Sequence, residues 1–599
     1  MLGWPNRERV ELFNKLLVAN RGEIAVRIIR TAKELGIATV AVYSELDQDS
    51  LHVRYADEAY ALGGQSAAES YLNTEKILDI LAKSNADALH PGYGFFSENA
   101  DFARAITESG IKFIGPPPSA IEIMGDKISS RIAAQAAGVN GVPGTTEVLT
   151  DPSEIVAFGE KFGWPVAIKA AYGGGGRGMR VVNSKEEAAS ALESAQRESE
   201  KAFGRSECYI ERYLTWPRHI EMQVFCDSHG NGVWLGERDC SCQRRHQKLI
   251  EESPAANFPD EIRQRMGEAA VKVALACGYE NAGTVEFLYQ DDDFYFLEMN
   301  TRLQVEHPVT ELIVGKDLVA LQLRIAAGEE IPFSQDQIER RGAAIECRIN
   351  AEDPTGGKFL PSPGKITKFT RADGFGVRTD AGYDAGDTVS QFYDNLVAKL
   401  IVWGEDRDLA IAKMKRALAE TEIEGIKTTI PAHLAILNEA DFQQAKHSTK
   451  WVEGLESIKA ISVDPQAAVE TEDQETESHE VQAEVNGKKF TVKLRLPKGS
   501  ISSQPNQAPQ GQKRTRAQSS SHRGSGGAGS GKVTVPMQGT VVKVLVSVGQ
   551  SVGIGEAVIV LEAMKMENSI LAEKAGVIKE LKVKPGDTVG SGDIVAVIE

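Results

Sequence analysis

Cysteine is scarce in this chain: six in 599 residues. Cys240 and Cys242 are spaced C-S-C rather than C-x-x-C, so neither a disulfide framework nor a zinc site is expected, and the thiols read as reduced, in a cytoplasmic protein. Long apolar runs are missing too. The opening MLGWPNRERVELF has no apolar core, and no stretch reaches the length of a membrane span, so neither a leader nor a transmembrane helix is expected. Positive charge is in deficit, with a formal net charge of −18, which argues against nucleic acid or an anionic membrane as the main partner. Two phosphate-binding signatures are lacking as well. No G-x-G-x-x-G follows the first strand, and no glycine loop runs through Lys-Ser/Thr into a helix.

What is present is a globular composition, 42% apolar and 25% charged, long enough for about four domains. The first 125 residues read as one α/β unit. Lys15 to Ala19 is a buried-type strand, the apolar spacing Ile24, Ile28, Ala32, Leu35 predicts a helix, and Ile37 to Ser44 is strand again. Asp87 to Leu89, followed by HPGYGFFSEN, repeats the pattern, and Phe113-Ile114-Gly115 closes it.

Gly125-Asp126-Lys127 opens a helix, and PVAIKA (Pro165 to Ala170) is a strand carrying Lys169. Gly173 to Gly176 then lead into a second strand at Arg180 to Val182, so the glycines form a hairpin tip. Its bland reading is a mobile surface loop. Its functional reading is a lid whose bare backbone N–H groups close over phosphates, with Lys127 and Lys169 as cationic clamps.

TVEFLYQ and FYFLEMN alternate apolar and polar residues around Asp291-Asp292-Asp293, which predicts a hairpin with Glu286 opposite Glu298. Like charges facing each other across a ladder are destabilising, and with Asn300 on the same face they suit a hard divalent cation, Mg²⁺. Beyond them Arg302, Gln304 and Glu306 alternate, so that in an extended chain all three point one way, as an anion pocket with a built-in base.

After about Trp451 the character changes. Glu470 to Glu480 is an acidic run of disorder type, and Val481 to Leu496 carries a hairpin signal around Asn486-Gly487. Ser500 to Lys532 is rich in Ser and Gly, with Lys513, Arg514, Arg516 and Arg523 and no acid. It reads as a tether rather than a nucleic-acid arm, about 30 Å in r.m.s. span and about 100 Å when extended. The last segment is a small duplication. Gly539 to Glu562 superposes on Gly576 to Glu599 at an offset of about 37 residues, each half alternating between Gly turns. Two such halves predict a flattened β-sandwich. Lys565 falls between them, flanked by Met564 and Met566, an apolar pair whose exposure implies that something reads it.

AMKM within this half-repeat resembles the biotinyl domain of biotin-dependent carboxylases. Lipoyl domains share that fold, but typically place Asp rather than Met before the lysine. HPGYGF, MGDK, GGGGRGMR, ERDCSCQRRHQK, EFLYQ with FLEMNTRLQVEHPVTE, and ECRINAEDP with FLPSPG resemble, in order and spacing, the biotin carboxylase branch of the ATP-grasp superfamily. Gly92 to Phe96 and Cys242 are peripheral variations.

The resemblance implies an α/β ATP-grasp biotin carboxylase, with an N-terminal parallel domain (1–125), a mobile lid (126–215) and a C-terminal α+β domain (216–455). A connector (456–499), a linker (500–532) and an all-β flattened-barrel biotinyl carrier (533–599) follow. It implies biotin amide-linked to Lys565, installed by a biotin protein ligase, together with ATP and Mg²⁺ or Mn²⁺. Lys127, Lys169 and His246 would contact ATP phosphates under a lid of Gly173, Gly174, Gly175 and Gly176, and Glu211, Leu214, His219 and Gln243 would hold adenine and ribose. Glu286, Glu298 and Asn300 would bind the metal, Glu286 and Glu298 touching ATP as well. Lys248, Arg302, Gln304, Val305 and Glu306 would form the bicarbonate pocket, with Glu306 as base and Arg348 on the biotin ureido oxygen.

No segment is left over for a carboxyltransferase, so a separate β subunit is expected, in a hetero-oligomer of α6β6 type. The lack of a thumb-like insertion between Val546 and Gly549 is similar to actinobacterial acyl-CoA carboxylases, pointing to acetyl-CoA or propionyl-CoA as acceptor. The ATP-hydrolysing subunit of a two-subunit pyruvate carboxylase, and a non-catalytic biotin-bearing carrier, are the alternatives.

Overall fold

The computed structural model describes residues 12–145, 147–170, 179–203, 206–462, 476–485, 488–497, 531–535, 539–563, 566–590 and 592–599. The first unit is a parallel sheet in the order β3-β2-β1-β4-β5, from β1 (Lys15–Val18), β2 (Ala38–Tyr43), β3 (Glu58–Ala61), β4 (Ala88–His90) and β5 (Lys112–Phe113). Helix α1 (Gly22–Glu34) packs Ile24, Ile28 and Ala32 against Leu16 and Val18, the stripe that the spacing predicts. The strand order reverses between β1 and β4, the place where open α/β sheets form a crevice beyond the strand ends. Asn20 ties the two loops there, its Nδ2 donating to Pro91 O at 2.7 Å and Tyr93 O at 2.8 Å. Gly92 is required at this crossing. Its φ is +66°, and a Cβ would lie 2.8 Å from Asn20 Nδ2.

A three-stranded antiparallel sheet, β7-β6-β8, follows, from β6 (Val166–Ala170), β7 (Arg180–Val182) and β8 (Cys208–Arg212). Helices Pro152–Phe162 and Ala188–Phe203 back it with Ile155, Phe158 and Leu192. The expected Gly173 to Gly176 lid lies outside the described residues.

The largest sheet has eight antiparallel strands. β13 (Asp293–Asn300), β12 (Asn281–Gln290), β9 (Arg218–Cys226), β10 (Gly232–Arg244), β11 (Gln247–Ser253) and β14 (Ala343–Asn350) lead on to strands Leu396–Gly404 and Val377–Ala381. In β9 the alternation separates two environments. Ile220, Met222 and Val224 enter an apolar core with helix Asp260–Ala276, while His219, Glu221 and Gln223 face the other way and are equally buried. The β12–β13 hairpin turns on Asp291 and Asp292, at φ 56° and 59°, the left-handed pair that a two-residue turn needs. Its register pairs Glu286 with Glu298, as predicted.

The C-terminal unit is two four-stranded sheets. Its duplication is visible bond by bond. Gly549 N donates to Ile578 O, and Gly586 N to Val541 O, both at 2.8 Å; Gly555 N donates to Ala572 O, and Gly592 N to Val535 O, again at 2.8 Å. Val541, Val558, Leu561, Ile578 and Val595 fill the space between the sheets. Strands Ala557–Ala563 and Met566–Leu571 pair up to Ala563 and Met566, and Lys565 itself lies outside the described residues.

Two expectations need correction. The acidic run read as disordered to Glu480 is strand from Thr476 onward: Thr476–Val485 pairs with Lys488–Pro497 over ten residue pairs, because its alternation continues through the acids. Arg302 to Glu306 is not extended. It is a turn that delivers Glu306 as the residue capping helix His307–Val314, which Pro308 opens.

Candidate active site

A cavity of about 690 Å³ opens between the lid sheet and the large sheet, a size suited to a nucleotide-sized ligand. Lys169, Glu211, Leu214, His219, Gln243, His246, Lys248, Glu286, Glu298, Asn300, Arg302, Gln304, Val305 and Arg348 line it. Those expected site residues therefore come together. Gly174, Gly175 and Gly176 lie outside the described residues, as does the side chain of Lys127, whose backbone starts helix Lys127–Ala136 under an Asp126 cap.

At the centre stands Lys248. Its ammonium reaches Glu306 Oε1 at 2.6 Å, Glu221 Oε2 at 2.7 Å and Glu286 Oε1 at 3.2 Å. Arg348 closes the other side of Glu306, with Nη2 at 2.8 Å from Oε2. Burial alone would push the Glu306 acid up. Lys248, Arg348 and the Arg238 guanidinium overcome it and hold the carboxyl well below the usual range. Arg238, itself fully buried, pairs with Glu221 at 2.5 Å and bonds Gln223, Thr284 and Thr310, so each charge in this wall has partners.

The metal residues are split. Glu286 Oε1 accepts from Asn300 Nδ2 at 2.8 Å, and Oε2 lies 2.9 Å from His219 Nε2. Among the described residues the tight donor group joins Glu286 to His219 and Glu221, while Glu298 faces the open cavity. Two carboxylates and an amide oxygen beside room for phosphates nonetheless form an oxygen set that fits Mg²⁺. Arg302 donates to Gln304 Oε1 at 3.0 Å, and its Nε to Glu98 at 2.8 Å. Glu211, expected at the nucleoside, pairs here with Lys169 and with Arg131.

Several groups escaped the sequence reading. Glu221, Glu251, Tyr93 and Lys450 all stand in or beside the site. Lys450 Nζ bonds Tyr213 Oη at 2.6 Å and Leu214 O at 2.9 Å, fixing the link between lid and large sheet. A signal did exist for Glu221: it is the middle member of His219, Glu221, Gln223, polar at every second place in an otherwise apolar strand.

A nucleotide-sized cleft between a small antiparallel lid and a sheet carrying paired acids defines an ATP-grasp ligase. Family models agree domain by domain: biotin carboxylase N-terminal domain over residues 12–121, carbamoyl-phosphate synthase L chain ATP-binding domain over 126–334, biotin carboxylase C-terminal domain over 346–454, and biotin-requiring enzyme over 531–598. The chain belongs to the biotin-dependent carboxylases, as a biotin carboxylase joined to its own biotinyl domain. It is 47% identical to the biotin-dependent acyl-coenzyme A carboxylase alpha3 subunit of Mycobacterium leprae, over 98% of each chain. It is 53% identical to a pyruvate carboxylase subunit of Methanothermobacter thermautotrophicus, over 74% of this chain and 90% of that one. The biotin carboxylase domain of Hydrogenobacter thermophilus 2-oxoglutarate carboxylase, solved with MgADP, ADP and bicarbonate, matches 76% of this chain and all of its own, with TM-score 0.69 and 47% identity.

Proposed function

We propose that this protein is the α subunit of an acetyl-CoA or propionyl-CoA carboxylase, charging its own biotin and passing the carboxyl group to a separate carboxyltransferase β subunit. The single observation that carries this reading is the relationship to an acyl-CoA carboxylase alpha subunit over 98% of both chains, biotinyl segment included.

Each residue has a task. Lys169, Lys127 and His246 steady the ATP phosphates, Glu286, Glu298 and Asn300 hold Mg²⁺, and Glu211, Leu214, His219 and Gln243 seat the nucleoside. Arg302, Gln304, Val305 and Lys248 orient bicarbonate for attack on the γ-phosphorus, which releases ADP and leaves carboxyphosphate. Glu306 accepts the bicarbonate proton. It is ionised in the free protein because Lys248 and Arg348 face it, and it becomes a stronger base as the Lys248 ammonium turns to the arriving anions. When bound, biotin would supply the nitrogen nucleophile for CO₂, the phosphate released from carboxyphosphate taking its N–H proton. Arg348 lines the cavity with its guanidinium held by two carboxylates, placed to receive the ureido oxygen.

Hairpin Thr476–Pro497 is the docking piece for the β subunit in this reading, in a cytoplasmic complex of α6β6 type. The pyruvate carboxylase reading is favoured by one observation, the 53% identity over the catalytic part. Labelled bicarbonate and ATP, given to the avidin-captured complex with acetyl-CoA, propionyl-CoA or pyruvate in turn, decide between them. Acid-stable label on an acyl-CoA supports the main reading, and label on pyruvate alone overturns it.

A further inference from the structure

Beside Arg348 lies a carboxyl pair, Glu251 and Glu346, of which only one oxygen meets the guanidinium. Glu251 Oε1 accepts from Arg348 Nε at 2.5 Å. Its Oε2 is buried with no partner, and Glu346, directly across the β11–β14 ladder, has both oxygens buried with none. Two facing acids in a dry strand pair thus have one guanidinium between them. Ionising both would set like charges against each other where no water screens them.

We propose that Glu251 is a positioning residue for Arg348, and that Glu346 is the neutral acid of the pair, leaving the pair's one negative charge on Glu251. Arg348 is then gripped at Nε by Glu251 and at Nη2 by Glu306, so its planar fork is held at two nitrogens where the residue lines the cavity. Were Glu251 neutral, one of the two grips would weaken and the guanidinium could rotate toward Glu306. The inference rests on Arg348 meeting the cofactor, as argued above.

The surroundings agree. Burial pushes the Glu346 acid well up, with Glu251 and Glu306 adding to it against the pull of Lys399. Burial raises Glu251 as well, to about 7, with Arg348 and Lys248 opposing and Glu306 assisting. The thiols near the pair, Cys240 and, on the opposite face of the sheet, Cys242 and Cys347, are kept protonated by burial.

The test uses the full biotinylated chain with Glu251→Gln, Glu346→Gln and Arg348→Lys. ATP-dependent uptake of labelled bicarbonate onto the chain is followed from pH 6 to 9, and the ¹³C-carboxyl resonances of glutamate-labelled protein without biotin are titrated in parallel. Glu251→Gln is expected to slow uptake about 10- to 100-fold, the scale of a misplaced catalytic group, with KM for ATP within about twofold. It is also expected to abolish the acid limb of the rate profile and to remove one of the carboxyl resonances titrating near neutrality, leaving those of Glu23 and Glu352. Glu346→Gln, which imitates the neutral acid, is expected to keep the rate, the limb and that resonance. Wild-type uptake by Glu251→Gln, or a set of near-neutral resonances in it that is unchanged from the wild type, overturns the inference. If Arg348→Lys also runs at the wild-type rate, the assignment of Arg348 fails and takes the inference with it. If only Glu251→Gln does, the inference alone fails.

Discussion

The two β-structures of this chain solve opposite problems. Among its described residues the biotinyl unit hides only apolar side chains such as Val541, Val558, Leu561 and Val595, and its described ion pairs, Lys579 with Glu599 and Lys582 with Glu580, sit in solvent. The large catalytic sheet buries Glu221, Arg238, Asp239, Glu251, Glu346 and Lys399, each at most 1% exposed. An apolar sandwich is stable whatever its lysine carries. A sheet with charges inside is stable only while the ionised groups keep their partners.

The sharpest way to break this contrast is at the two chemical centres. Lys565→Ala is expected to abolish capture on avidin and all label on the chain, while bicarbonate-dependent ATP hydrolysis with free biotin persists. Glu306→Gln should do the reverse, leaving avidin capture intact and slowing label uptake about 10²- to 10⁴-fold, the span for loss of a general base.

Stability should separate the units next. Arg238→Leu leaves Glu221 with Lys248 as its one remaining close cation and Gln223, Thr284 and Thr310 without their shared donor, and is expected to cost the catalytic body about 3–5 kcal/mol, seen as a lower midpoint in urea. Leu561→Ala should remove about 2–5 kcal/mol from the biotinyl unit only. Acid gives the smallest effect. Arg218 holds Asp239 at about 2, and Arg27 with Arg378 lowers Glu311, so these pairs stabilise the fold above the unfolded carboxyl range and lose that contribution as pH falls through their folded values. Glu23 and Glu352, raised by burial to about 7, act oppositely: their contribution is full below about 4.5 and lost as pH rises through 7. The catalytic body should therefore melt highest between about pH 4 and 5, while the biotinyl transition, which none of these groups touches, moves little.

Local pattern made part of this architecture readable. The Asp turn and alternation place Glu286 opposite Glu298, and the spaced glycines disclose a repeat whose hydrogen bonds recur about 37 residues apart. Long-range pairing was not readable. Alternation says that Glu221 and Arg238 are inward, but only the order β12-β9-β10 brings them together, and Glu251 meets Glu346 through strands almost a hundred residues apart. The extended reading of Arg302 to Glu306 failed for a local reason, since Pro308 fits the first turn of a helix and fixes Glu306 at its mouth.

Glu98 Oε2 sits 2.8 Å from Arg302 Nε, and its Oε1 accepts from Thr301 N at 3.1 Å. The anion pocket thus has a resident anion on a hinge. In the proposed function bicarbonate would enter by exchange, displacing a carboxylate that stays tethered nearby, and once it is consumed Glu98 would return within the nanoseconds of a side-chain rotation. Arg302 is thereby spared a wait with bare charge between turnovers. The entering ligand is bound less tightly than Arg302 alone would bind it, and the same return helps to clear the spent anion from the site.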